Sequence, residues 1–116
     1  MAQNEAALQQ VCVNWFRYQY PLISRLLVAV PNGGSRNIAE AKNLKKQGVM
    51  PGVADLLLLK PSNGYGCLGI EMKYEKGKQS ENQKSWENDF VKHGNLYVVC
   101  RSVDEFISAV NNYLTV

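Results

Sequence analysis

The stretch Gly52-Val53-Ala54-Asp55-Leu56-Leu57-Leu58-Leu59, then a turn at Gly64-Tyr65-Gly66, then Gly69-Ile70-Glu71-Met72-Lys73, decides how this chain folds. Two apolar runs bounded by Gly and Pro read as neighbouring strands joined by a short polar connection. Asp55, Glu71 and Lys73 are the ionisable groups within them. Side chains alternate faces along a strand, so Glu71 and Lys73 share one face and Met72 takes the other. If the strands pair, Asp55 reaches the face of Glu71. Two carboxylates and an ammonium on one patch of buried sheet are costly unless they are paired or bind a metal.

That grouping has a chemical use. Carboxylate oxygens are hard ligands suited to Mg²⁺, which takes one or two protein carboxylates together with phosphate oxygens and water. Asp55 and Glu71 would hold the ion against a scissile phosphate, with the backbone carbonyl of Met72 as a further ligand. Lys73 would position or activate the attacking water and offset charge in the transition state. The plainer reading is a salt bridge from Lys73 to Glu71 or Asp55, with an Asp at a strand start.

Length and composition bound the rest. The 116 residues suit a single domain, 1–116, with 46% hydrophobic and 20% charged residues, as in a soluble globular protein. The N-terminus lacks the basic start and apolar run of a signal peptide, and no segment approaches a membrane span. Cys12, Cys67 and Cys100 are odd in number and widely spaced, so they read as buried thiols of a reducing compartment, the cytoplasm. Net charge is only +3, but nine of the basic residues fall between Arg36 and Lys84 against five acidic ones. This excess surrounds the proposed site and suits a phosphate backbone, though an ordinary solvated surface also explains it.

Working outward, Asn4 to Tyr20 predicts a first helix, capped by Asn4 and ended by Pro21. Leu8, Val11, Cys12 and Trp15, with Tyr18 or Gln19, give its core stripe. Glu5 then lies in the first turn, where the helix dipole favours an acid. Leu26–Val30 is a buried strand broken by Pro31-Asn32-Gly33-Gly34, a turn whose glycines also allow close approach to DNA. Ser35 or Asn37 caps a polar second helix to Gln47, with Gly48 as its stop. Lys42, Lys45 and Lys46 on that helix, and Arg36 before it, can lie along phosphates; late lysines also suit the dipole's negative end.

Lys76 and Lys78 follow Lys73 in a polar loop that is either a phosphate contact or simply solvated. Ser80-Glu81-Asn82-Gln83 opens the next helix as a capping box, with Trp86, Phe90 and Val91 as its core stripe. His93 reads as a helix C-terminal residue rather than a ligand. Leu96–Cys100 is a buried strand, and Ser102 caps a last helix with Glu105 at the capping-box position, packed by Phe106, Ile107, Val110 and Leu114. The order α-β-α-β-β-α-β-α predicts an α/β fold: a mixed sheet of about four strands with helices on both faces.

The pattern resembles the VRR-NUC domain, the virus-type replication-repair branch of the PD-(D/E)xK nuclease superfamily. The resemblance is carried by Glu5, Pro31-Asn32-Gly33-Gly34, Gly48 through Asp55, Ile70-Glu71-Met72-Lys73, Ser80 through Gln83, and Gly94. The family usually has Pro before the aspartate, where this chain has Ala54; that residue is not a ligand. The resemblance implies a restriction-endonuclease-like core and Mg²⁺-dependent cleavage of DNA phosphodiesters, with Mn²⁺ as a substitute. It implies Asp55, Glu71 and Lys73 as the catalytic set, supported by Glu5 and Gln83. It favours a place near the active site for the turn, where Gly33 can approach DNA and Asn32 can contact it or simply serve the turn. In the family a glutamine at the position of Gln83 faces the active site. One side-chain orientation is not expected to serve both that role and the capping box. Branched DNA such as a four-way junction, a homodimer, and replication or repair in a phage or mobile element are further implications. The alternatives are a non-catalytic nucleic-acid-binding module on the same fold, or an interaction protein with an ion-pair network.

Overall fold

Leu56–Leu58 (β2) and Leu68–Met72 (β3) pair antiparallel, with Leu56 opposite Ile70 and Leu58 opposite Leu68. The computed structural model, which describes residues 2–31 and 37–115, builds the rest around this pair. Leu27–Ala29 (β1) joins β2 antiparallel, and Leu96–Cys100 (β4) joins β3 in parallel, giving a mixed four-stranded sheet in the order β1-β2-β3-β4. The helices are Ala2–Gln19 (α1), Ile38–Lys46 (α2), Glu81–Lys92 (α3) and Val103–Leu114 (α4). The expected element order holds, with one addition. Residues Pro21–Leu26 form a 3₁₀ turn, so β1 begins at Leu27 rather than Leu26.

Alternation sorts the strand residues between two faces. Leu27, Leu56, Leu58, Leu68, Ile70, Met72 and Cys100 join Cys12 and Phe16 of α1 and Phe106, Val110 and Tyr113 of α4 in one buried layer. Trp15 meets Phe106 edge-on at 6.1 Å between ring centroids. The other face carries Gly69 and Glu71 on β3 and Tyr97 on β4, with Gly69 and Tyr97 in register. Phe90 of α3 lies over Gly69 so closely that an added Cβ would fall 2.7 Å from its ring. Trp86 stacks on Phe90 at 4.5 Å, which makes it a packing residue.

Several local expectations shift. Helix α1 starts at Ala2, so Asn4 lies inside the first turn instead of capping it, and Glu5 stays in that turn. Its buried stripe runs through Cys12 and Phe16, while Val11 and Tyr18 face outward. Val91 is likewise exposed, because α3 lies across the sheet with Trp86 and Phe90 inward. Asn37 caps α2 by accepting from the Glu40 amide. Helix α2 has no buried residue, as its thin apolar stripe predicted. Ser102 caps α4, but the Glu105 carboxylate reaches back to the Arg101 amide rather than to the cap residue. Cys12 and Cys100 are buried free thiols, pushed up to about 11 and about 12 by burial. Cys67 is free and only half-buried. Among the described residues no helix is long and apolar enough to cross a membrane.

Candidate active site

Glu71 sits in the middle of the site and is fully buried. The parallel pairing with β4 holds its backbone, and three groups converge on its carboxylate. Gln83 Nε2 donates to Oε2 at 2.6 Å, the Tyr97 hydroxyl donates to Oε1 at 3.2 Å, and Lys73 Nζ lies 3.5 Å from Oε2. Lys73 follows two residues later on the same face, as strand alternation required.

Asp55 directly precedes β2 and its Oδ2 accepts the Met72 backbone N–H at 2.7 Å. That bond continues the β2–β3 contact past the last paired residues, Leu56 and Ile70, and brings Asp55 beside Glu71. Lys73 N–H donates the other way, to the Cys100 carbonyl on β4. The N–H and C=O of one strand residue share a side, so the Met72 carbonyl faces the Asp55 side as well.

With both acids ionised, the two carboxylates outnumber the single ammonium, and the patch is left negative. Without a cation, a proton on Glu71 is what relieves it. Burial, then the negative charge of Asp55, push the Glu71 carboxyl up to about 8, against the opposing pull of Lys73 and Tyr97. Two hard oxygen donors in a buried, electron-rich pocket are a donor set for a divalent cation of the Mg²⁺ kind.

Gln83 performs both tasks that seemed exclusive. Its Oε1 accepts from the Ser80 amide at 2.8 Å, and Ser80 Oγ accepts from the Gln83 amide at 3.2 Å, completing the capping box. The same side chain turns its Nε2 to Glu71. A carboxamide has a donor end and an acceptor end, and the expectation of a conflict treated it as one group.

Glu5 is not gathered in. It is half-buried in the first turn of α1, and its side chain makes no hydrogen bond or ion pair to a described residue. Among the described residues no cluster of three His, Cys, Asp or Glu side chains that could hold a metal forms, and an acid in a helix's first turn suits the dipole. Lys42, Lys45 and Lys46 are exposed along α2, and Lys76 and Lys78 are exposed after β3. Asn32, Gly33 and Arg36 lie outside the described residues. A cleft of about 350 Å³ opens beside Gln83, between Leu44 and Lys45 of α2, the Met50–Gly52 turn and the start of α3.

Sequence reasoning passed over Tyr97, Gln79 and Glu87. Gln79 Nε2 donates to the Tyr97 oxygen at 3.1 Å and to Glu87 Oε1 at 2.9 Å. It also passed over Arg101, whose guanidinium donates to the Glu75 and Gly77 carbonyls and braces the loop bearing Lys76 and Lys78. The only available signal was a tyrosine, with its polar tip, in an otherwise apolar strand. Nothing local said that β4 would lie in parallel against β3.

Comparison with known proteins agrees with this arrangement. The VRR-NUC domain family model matches residues 2–104. A solved structure described as a VRR_NUC domain protein is 26% identical to this chain, superposes with a TM-score of 0.82, and covers 94% of this chain and 86% of its own. No curated protein matches. The family match takes in every strand and the whole Asp55–Glu71–Lys73–Gln83 grouping, and the chain therefore belongs to the VRR-NUC domain family, with its nuclease-type α/β fold.

Proposed function

We propose that the protein is a divalent-metal-dependent endodeoxyribonuclease that hydrolyses DNA phosphodiester bonds, with Mg²⁺ as its ion and Mn²⁺ as a substitute. The observation that carries this reading is the Asp55–Glu71 pair, drawn together at a buried position with a single ammonium, that of Lys73, against Glu71. Asp55, Glu71 and the Met72 carbonyl would hold the ion. Bound there, it would supply Lewis acidity to the phosphate and lower the pKa of water.

The chain's own residues do the rest. Gln83 and Tyr97 keep the Glu71 carboxylate in one orientation. Lys73, only 12% exposed, stands beside that carboxylate, where its ammonium can orient the attacking water and offset charge on the phosphorane-like transition state. Lys45 lines the cleft, Lys42 and Lys46 are exposed on the same helix, and Lys76 and Lys78 follow the catalytic strand; these would meet phosphates and set the salt dependence of binding.

A branched substrate, a homodimer and a place in phage or mobile-element DNA replication or repair extend the same reading through the family resemblance. For the second copy there is one supporting feature. Tyr18 and Leu22 are 87% and 99% exposed at the end of α1 and in the 3₁₀ turn.

The test is cleavage of labelled duplex, single-stranded, flap and four-way-junction DNAs with Mg²⁺ or Mn²⁺, alongside Lys73→Ala. Metal-dependent cutting that disappears in Lys73→Ala is the expected outcome. DNA binding without cutting by the wild type would replace this reading with a non-catalytic binding module.

A further inference from the structure

We infer that Glu87, Gln79 and Tyr97 form a directed hydrogen-bond relay that orients Glu71 for its cation, with Tyr97 as the positioning residue and Glu87 as its remote anchor. The inference rests on the nuclease reading above. The relay spans three elements: Glu87 on α3, Gln79 in the segment before it, and Tyr97 on β4.

Its direction follows from which atoms can donate. An ionised carboxylate only accepts, so Glu87 takes an N–H from Gln79 and fixes the amide with its nitrogen toward Glu87 and Tyr97. The second N–H of that nitrogen points to the phenol oxygen. The phenol oxygen therefore accepts on that side, and its single proton is left for Glu71 Oε1. Tyr97 is 8% exposed, so water does not compete. Burial, with the negative charges of Glu71 and Glu87, pushes the phenol's pKa upward and keeps it a proton donor.

The far oxygen of Glu71 is held separately by Gln83 and Lys73. One carboxylate is thus pinned at both oxygens, the upper one through a chain that ends on a half-buried helix residue. Outer partners that orient a metal-binding side chain affect metal affinity by about 10- to 100-fold. The substitution Glu87→Gln probes direction without removing bulk. A glutamine there can donate to Gln79, which lets the Gln79 amide turn its oxygen to Tyr97 and draw the phenol proton away from Glu71.

The experiment is calorimetric titration of the wild type, Tyr97→Phe, Glu87→Gln and the double variant with Mn²⁺ alone. Metal-free melting temperatures and the kcat and KM for DNA cleavage are measured beside it. Both single variants are expected to bind Mn²⁺ about 10-fold more weakly, with melting temperatures near wild type. The kcat should fall while KM for DNA holds, and the double variant should be no worse than Tyr97→Phe, since both act through one chain. Wild-type affinity in Glu87→Gln, or additive losses in the double variant, would overturn the relay while leaving the nuclease reading intact. A lower melting temperature with unchanged affinity in Tyr97→Phe would overturn it too, in favour of a purely structural tyrosine. A wild-type protein that takes up no Mn²⁺ and cuts no DNA would overturn the nuclease reading itself, and the relay with it.

Discussion

On one face of the sheet, Leu56, Leu58, Leu68, Ile70 and Met72 meet Phe16 and Phe106 in a layer with no charged member. On the other, alternate positions of the same strands bring Asp55, Glu71 and Tyr97 under α3, beside Gln83 and Lys73. The first face adds stability in proportion to the apolar area it removes from water. The second opposes it, since a carboxylate held out of water next to another resists ionisation. A single β-strand serves both because its side-chain period is two. Glu71 is tolerated between Ile70 and Met72 because these two anchor the strand from the opposite side.

The comparison can be broken by removing the charges. Asp55→Ala, Glu71→Ala and Lys73→Ala are each expected to lower single-turnover cleavage by about 10²–10³-fold or more. Glu71→Gln should also be inactive, yet its metal-free form should melt at or above the wild-type temperature, because a neutral amide replaces a buried acid. A metal-free Glu71→Gln that melts several degrees lower would show that the charged face supports the fold after all.

Phe16→Ala tests the opposite face. It should cost about 3–5 kcal/mol in denaturant unfolding, with Mn²⁺ affinity retained at temperatures where the variant is folded. A loss of affinity as large as the loss of stability would mean that the faces are not separable.

Gly52 bears on the charged face from outside the sheet. Its φ is +89°, and an added Cβ would fall 2.3 Å from the Asn82 carbonyl oxygen, against the first turn of α3. Gly52→Ala should therefore cost about 1–3 kcal/mol. It should also slow cleavage beyond what its stability loss explains, because Gln83 sits in the same turn.

The gentlest probe is pH. The folded Glu71 carboxyl is raised from the ordinary 4.5 to about 8, so between these values the folded chain holds a proton that the unfolded chain has lost. That contribution is fully present below about pH 4.5 and is lost as pH rises through about 8. Metal-free wild type should thus lose melting temperature across this window relative to Glu71→Gln. An equal slope in the two proteins would remove Glu71 as the source.

Much of this was readable along the chain. Runs of Leu with an Asp at the head, Ile-Glu-Met-Lys two faces deep, and Ser-x-x-Gln before a helix are local patterns, and each produced the element and orientation it implied. Errors fell where local pattern was ambiguous. Val11 and Tyr18 have helical spacing that fits a core stripe, but the packing of α1 against the sheet and α4 kept Cys12, added Phe16 and left those two outside. Asn4 is a good capping residue that the helix simply ran past.

What the sequence determined by itself was the strand pair, the carboxylates on a shared face and the ammonium two residues on, because alternation is a property of the backbone alone. What only the tertiary structure decided was the company Glu71 keeps. Tyr97 reaches it through a parallel register with a strand 26 residues away, and Gln83 reaches it because α3 docks over Gly69. Register between distant strands and the seating of a helix on a sheet are set by packing across the whole domain. No short window of residues encodes them.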